Sequence, residues 1–279
     1  MPQTALYLSP TLRQIEARHR DEPLMQRAGA AAAAWAVELA GERNQPILIL
    51  AGPGNNGGDA FAAAGLLRQR FFDVRVVFTG EAKHLPKDAA EAYQRFIAAG
   101  GATLEAIPAE TSWSLIIDGL FGIGLTRVPE GIYADWIAAA NQLAERDHCP
   151  VLALDCPSGL NADTGQALGQ PICASHTITF ISAKPGLLTA DGPDHCGEIR
   201  VASLDLTPEA NHPADGQQLS RADFSAYLKP RRRNSHKGSF GTAGILGGAP
   251  SMVGAAFLAG RAALKLGCGK VYVGLLEQP

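Results

Sequence analysis

The chain has 279 residues, 46% of them hydrophobic, and 24 Lys and Arg against 27 Asp and Glu give a net charge of -3. That is apolar material for one large domain or two ordinary ones, without the broad basic field that holds nucleic acid. Aromatic residues are only 6%, which argues against a surface that stacks single-stranded bases, so small molecules are the expected partners.

Ser9 followed by Pro10 is a helix opening, because serine can cap free amides and proline suits the first turn. Helical segments are expected over about Thr11 to Leu39. The apolar run Ala28 to Ala40 inside them is interrupted by Glu38 and is too short to span a bilayer, so it reads as a helix of the fold. Pro46 to Ala51 is a short continuous apolar run, the pattern of a strand buried on both faces. A glycine loop, Gly52 to Asp59, follows directly, then a helix over Ala60 to Arg70 and a strand over Val74 to Phe78. The alternation continues with a helix near Lys87 to Ala99, a strand at Ser114 to Asp118, a helix near Tyr133 to Glu145 and a strand at Val151 to Asp155. Such a series predicts a three-layer α/β, Rossmann-like domain with a mainly parallel central sheet, binding ligands beyond the carboxyl ends of its strands. Thr177 to Ile181 and Glu198 to Ser203 read as closing strands with no long helix between them, which suits a mixed or antiparallel edge.

From Thr207 to His236 the composition shifts to Pro, Asp, Gln, Arg and Lys, which predicts a linker over 207–235 with one short helix near Arg221 to Leu228. A second unit follows: a strand at Thr242 to Leu246, the loop Gly247-Gly248-Ala249-Pro250-Ser251, a helix near Val253 to Leu266 and a strand at Lys270 to Leu275. The expected domains are therefore 1–206 and 236–279, the latter too short to bury a core unaided. The five cysteines are odd in number and form no Cys-x-x-Cys pair, so neither a disulfide framework nor a zinc site is expected and a reducing cytoplasm fits best.

Gly52, Gly54 and Gly57 match G-x-G-x-x-G after a strand and at a helix start, where backbone amides approach an anion and the helix end adds partial positive charge; a tight turn between strand and helix is the alternative. Asn55, Asn56 and Asp59 add two amides and a carboxylate, oxygen ligands that suit a hard cation; they are equally at home in a turn and a helix start. Asp118 to Arg127 forms a second polar, glycine-rich loop in which Arg127 can grip a phosphate and Asp118 a cation or hydroxyl, or which is an ordinary connection. Asp155-Cys156-Pro157-Ser158-Gly159 is a third acidic strand end with a glycine turn. Lys184, just after a strand, reads either as a phosphate or proton-transfer group or as a solvated lysine before a turn. Cys156 reads as a small apolar residue. No histidine pair has metal-ligand spacing and no Gly-x-Ser-x-Gly elbow appears, which leaves histidine-centred hydrolysis without support.

Gly-Pro-Gly-Asn-Asn-Gly-Gly-Asp at Gly52 to Asp59, Asp-x-Leu-Phe-Gly-x-Gly at Asp118 to Gly124 and Leu-Asp-x-Pro-Ser-Gly-Leu at Leu154 to Leu160 resemble the signatures of the NAD(P)H-hydrate epimerases. Thr179-Phe180 with Lys184-Pro185-Gly186, and Gly197-Glu198, extend the resemblance over about Leu12 to Leu206. It implies interconversion of the R and S forms of NADH and NADPH that carry added water at C6, with a bound potassium ion. It further implies that Asn55, Asn56, Gly57, Gly58 and Asp59 bind the hydrated cofactor together with Gly122, Ile123, Gly124, Leu125, Thr126, Arg127 and Val128. Asp155 would contact the cofactor as well, and Asn56, Asp118 and Ser158 would hold potassium. Asp155 is the first candidate for acid/base catalysis and Lys184 the second. One departure is Gln26, where the family commonly has glutamate after methionine, which leaves any role of that carboxylate open.

His236-Lys237-Gly238-x-Phe240-Gly241 and Gly247-Gly248-x-Pro250-x-Met252-x-Gly254-Ala255-Ala256 are similar to the opening of the ribokinase-like, ADP-dependent NAD(P)H-hydrate dehydratases, the partner domain in bifunctional repair proteins. That domain's nucleotide-binding and catalytic segments are not among these residues, so dehydratase activity is not expected here. The expected partner is a nucleotide, with neither nucleic acid nor membrane, and homo-oligomerisation stays open. A nicotinamide dehydrogenase, with Glu81 as its nearest ribose-binding carboxylate, and a non-catalytic nucleotide-binding module are the alternatives.

Overall fold

The computed structural model describes residues 4–41, 45–208, 212–227, 230–249 and 251–276. These form two compact units, Met1–Leu219 and Ser220–Pro279. In chain order the first holds β1 (Thr4–Leu6), α1 (Ser9–Arg18), α2 (Leu24–Ala40), β2 (Ile47–Ala51), α3 (Asn55–Gln69), β3 (Val74–Val77), α4 (Lys87–Ala98) and β4 (Thr103–Leu104). There follow β5 (Leu115–Gly119), α5 (Ile132–Asp147), β6 (Val151–Leu154), β7 (His176–Phe180), α6 (Gly192–His195), β8 (Glu198–Ala202) and β9 (Gly216–Gln218).

Seven strands make one sheet in the order β4-β3-β2-β5-β6-β7-β8. From β2 the chain runs outward one way through β3 and β4, then returns to β5 beside β2 and runs the other way. The carboxyl ends of β2 and β5 therefore flank the topological switch point, the crevice in which open α/β sheets bind ligands.

The apolar runs explain the layers. In β2 every residue is buried, and alternate side chains enter different cores. Ile47, Ile49 and Ala51 pack with Leu12 and Ile15 of α1, Trp35 of α2, Phe61 of α3 and Phe96 of α4. Leu48 and Leu50 pack with Trp136, Ile137 and Ala140 of α5. Each such aliphatic side chain contributes about 1.5–3 kcal/mol, which fixes the strand register and aligns the loops above it.

The closing edge differs from the expected one: β7 pairs with β8 in parallel, as do all neighbours in this sheet. The crossover from Ile181 to Gly197 is built from a 3-10 turn at Pro185–Leu187 and the single turn of α6, too short to show as helical periodicity. At Ser9 the cap is also different. The serine is the first helical residue, and its amide and hydroxyl both donate to Asp163 Oδ1 at 2.7 Å.

The first unit also runs past the expected boundary at Leu206. β9 pairs antiparallel with β1, the His212 carbonyl accepts from the Tyr7 hydroxyl at 2.9 Å, and Asp215 accepts from the Leu8 amide at 2.9 Å. In the second unit a 3-10 turn spans Arg221–Phe224 where a short helix was expected, closed by a capping box between Ser220 and Asp223. Leu228 lies outside the described residues, as does Pro250. β10 (Thr242–Gly247) and β11 (Lys270–Leu275) pair in parallel across α7 (Gly254–Lys265), which lays Gly260 against Val271, Val273 and Ile245. No helix among the described residues is long and apolar enough to cross a membrane, and no disulfide joins the cysteines.

Candidate active site

A cavity of about 780 Å³ opens over the carboxyl ends of β2, β5 and β6. The glycine loop forms one wall, with a division of labour that its spacing does not reveal. A side chain at Gly52 would collide with the Leu120 carbonyl, and one at Gly57 with the Gly52 carbonyl, so these two glycines let backbones close on each other. Gly54 has nothing near its missing side chain and borders the cavity.

The helix starts earlier than expected. α3 begins at Asn55, with Gly54 as its N-cap and no side chain capping it, so first-turn amides remain open to an anion. Asn55, Asn56 and Asp59 line the cavity, whereas Gly57 and Gly58 do not. At Gly58 a Cβ would lie 2.7 Å from the Met25 sulfur and 2.8 Å from Ala89 Cα; this glycine lets α2 and α4 approach α3. Its amide already donates to the Gly54 carbonyl at 3.2 Å.

The loop after β5 forms the second wall. Gly122, Ile123, Gly124, Leu125, Thr126 and Arg127 line the cavity; Val128 does not. Beneath it, Asp118 is fully buried and accepts from the Ser158 amide (2.7 Å), the Ser158 hydroxyl (2.6 Å) and the Leu120 amide (3.1 Å). The Ser158 hydroxyl oxygen in turn accepts from the Phe121 amide at 2.9 Å. Burial outweighs these hydrogen bonds and raises the Asp118 carboxyl from 3.8 to about 6. An acid raised on folding contributes stability below its unfolded value and loses it as pH rises through the folded one. Thermal melts in a buffer free of potassium should therefore show about 3 kcal/mol lost from this group between pH 4 and pH 7. A flat or rising profile over that range, after correction for the other carboxylates by Asp118→Asn, would contradict the assignment.

Asp155 stands at the end of β6 with φ 64°, in the left-handed region that aspartate tolerates better than most residues. Its amide donates to the Ile178 carbonyl at 2.7 Å, which turns the carboxylate into the cavity. There Oδ1 accepts from Lys184 Nζ at 2.6 Å and Oδ2 from the Ile123 amide at 2.9 Å. Ile181, at the end of β7, is also held at positive φ, 67°, on the cavity wall. Strained backbone of this kind gathers at functional sites and costs on the order of 1–3 kcal/mol per residue.

Lys184 is neither a solvated lysine nor a residue of the cavity wall. It is 1% exposed, and its ammonium donates to Asp155, to Thr179 Oγ1 at 2.6 Å and to the Phe180 carbonyl at 2.9 Å. All three of its hydrogens are engaged, so it positions Asp155 and does not reach a phosphate. Gly122 has a similar supporting task, since a Cβ there would stand 2.5 Å from Asp155 Oδ2. Gly122→Ala should leave the fold intact while displacing that carboxylate, lowering turnover by about 10- to 100-fold. An alanine variant with unchanged turnover would separate the carboxylate position from the chemistry.

Helix α1 supplies the part of the site that sequence reasoning missed. Arg13, Glu16 and Ala17 line the cavity at helical spacing on one face, while Leu12 and Ile15 face the core; Arg20, in the turn past the helix end at Arg18, joins them on the cavity wall. Arg13, Arg20 and Arg127 make no ion pair with any described residue, which leaves three cavity guanidinium groups available to anions. Burial, then the charge of Asp155, holds the Glu16 carboxyl above its ordinary value. Cys156 is fully buried in a small apolar cluster and lies outside the cavity. Gln26 also lies outside it, facing Arg95, so the departure from glutamate does not touch the cavity. Glu81 pairs with Lys83 and is absent from the cavity wall, which removes the dehydrogenase reading's ribose-binding candidate.

Residues 21–186 match the family described as YjeF-related protein N-terminus, a span that includes all three loops of the cavity. The chain belongs to that family. The YjeF-related relatives include an NAD(P)H-hydrate epimerase of Achromobacter xylosoxidans, 47% identical over 191 residues, covering 66% of this chain and 88% of that protein. A bifunctional NAD(P)H-hydrate repair enzyme of Escherichia coli is 39% identical over 231 residues, covering 81% of this chain. The chain spans only 44% of the Escherichia coli enzyme's length. The fold matches the crystal structure of yeast ynu0 with a TM-score of 0.57 at 17% identity, over 70% of this chain and 86% of that one.

Proposed function

We propose that the cavity epimerises NADH and NADPH hydrated at C6, interconverting their R and S forms. The observation that carries this reading is the Asp155 carboxylate, presented to the cavity by Lys184 and the Ile123 amide beside a glycine loop and an open helix N-terminus. Phosphates of a dinucleotide suit the first-turn amides of α3 and the guanidinium groups of Arg13, Arg20 and Arg127. Asp155 then takes or returns a proton on the oxygen attached to the carbinolamine carbon. Inversion at one carbon requires no hydride acceptor and no nucleophilic serine or cysteine. The name of the Achromobacter xylosoxidans relative, an NAD(P)H-hydrate epimerase, supports the same reaction. Incubating either pure epimer with the protein and separating the products on a chiral phase tests it: appearance of the other epimer above the uncatalysed rate is expected.

A potassium ion fits the polar floor of the cavity. Both side-chain atoms of Asn56, Oδ1 and Nδ2, are buried without a partner, and Asp118 and Ser158 add carboxylate and hydroxyl oxygens. Among the described residues no three His, Cys, Asp or Glu gather for a metal, and this amide, hydroxyl and carboxylate set is that of a hard cation. Asn56, Asp118 and Ser158 would hold the ion, which when bound supplies positive charge under the phosphate-binding rim. For the second unit, the parallel pair β10 and β11 joined through α7 supports reading residues 236–279 as the opening of a ribokinase-like domain.

A further inference from the structure

Two aspartates line the cavity in opposite company. Asp155 has an ammonium at 2.6 Å and a backbone amide at 2.9 Å to balance its charge. Asp59, on the second turn of α3, is 9% exposed, and its side chain makes no hydrogen bond or ion pair with any described residue. The charged groups around it come from several elements. Glu16 and Arg13 face the cavity from α1, Asp88 from α4, and Asp155 from the end of β6, with Lys184 behind Asp155. Burial first, then the negative charges of Asp155 and Glu16, hold the Asp59 carboxyl well above the usual carboxylate range. A protonated carboxyl is a hydrogen-bond donor, and this one has no protein acceptor to satisfy it. Two carboxyl groups whose surroundings differ this sharply are the arrangement by which one site provides both an acid and a base.

We propose that Asp59 is a second catalytic residue of this cavity, the acid that protonates the departing C6 hydroxyl while Asp155 takes the proton of the incoming water. The proposal rests on the epimerase reading above. Asp59 gives its proton to the C6 hydroxyl oxygen, the C6–O bond breaks, water leaves, and the ring nitrogen lone pair forms a C6=N1 iminium. A water molecule then adds to the other face of C6, the π pair returns to nitrogen, and the proton released goes to Asp155. Proton exchange with solvent restores the Asp59 acid and the Asp155 carboxylate. Nothing is oxidised or reduced, and each inversion replaces the C6 oxygen by one from solvent.

The test follows hydrated NADH by chiral separation and mass spectrometry in oxygen-18 water, for the wild-type chain and Asp59→Asn. Wild-type turnover should introduce one labelled oxygen per inversion and should decline as pH rises and Asp59 ionises. Asp59→Asn should lower kcat by about 100-fold and abolish that decline, with KM within about twofold of wild type. Its melting temperature should be no lower than that of wild type, because the amide is isosteric with the neutral acid. Wild-type turnover with normal kcat in Asp59→Asn overturns the assignment and leaves the epimerase reading standing. Inversion with retained oxygen overturns the C–O cleavage that Asp59 is assigned to assist, whatever the variant does. An inactive wild-type protein overturns both readings together.

Discussion

Asp155→Asn is expected to lower epimerisation by about 1,000- to 10,000-fold while leaving NADH binding within about twofold, because the amide keeps the shape and loses the proton-accepting charge. The Ile123 amide can still find an oxygen at the same place, so the wall of the cavity should keep its form. Lys184, however, would retain only Thr179 and the Phe180 carbonyl around a fully buried ammonium. Thermal melts must therefore accompany the kinetics. Activity near the wild-type level in a folded Asp155→Asn protein would remove this carboxylate from the chemistry.

Lys184→Met is expected to be the most damaging change to the fold. It leaves the Asp155 carboxylate mostly buried with no counter-ion, and breaking such a pair by removing one partner costs about 3–5 kcal/mol. Against a total stability of about 5–15 kcal/mol this is a shift readily seen in denaturant titration. The double replacement of Asp155 by Asn and Lys184 by Met should recover part of the loss, since no uncompensated charge remains, and the double-mutant cycle should show strong coupling. Additive effects would mean that the 2.6 Å contact carries little energy and that Lys184 does not position Asp155.

The features legible in the sequence are those with local causes. Pro46 to Ala51 reads as a doubly buried strand because its apolar residues have no polar alternation, and both cores confirm why. Asp118 and Asp155 sit where parallel strands put them, at the carboxyl ends of β5 and β6, with Asp59 on the helix that follows β2. Less visible were features decided by packing between distant segments. Asn-Asn-Gly-Gly carries turn chemistry, yet it is the first turn of α3, held there by the close approaches at Gly57 and Gly58. The polar face of α1 has the spacing of a solvated helix side, and only its placement over the cavity makes Arg13 and Glu16 site residues. A lysine next to proline and glycine looks exposed, and nothing local announces that Asp155, Thr179 and Phe180 will surround Lys184. The pairing of β1 with β9 joins opposite ends of the first unit and has no local signal at all.

Inversion of the hydrated carbon of a nicotinamide cofactor is the reaction assigned to this cavity. Time courses begun separately from the pure R and pure S hydrates of NADH, with the protein in potassium buffer, test it most directly. Both should converge on the same R to S ratio at a rate proportional to protein concentration, and Asp155→Asn should reduce that rate to nearly the uncatalysed one. Ratios that drift only at the uncatalysed rate, whatever the amount of folded wild-type protein, would show that the cavity does not epimerise the hydrated cofactor.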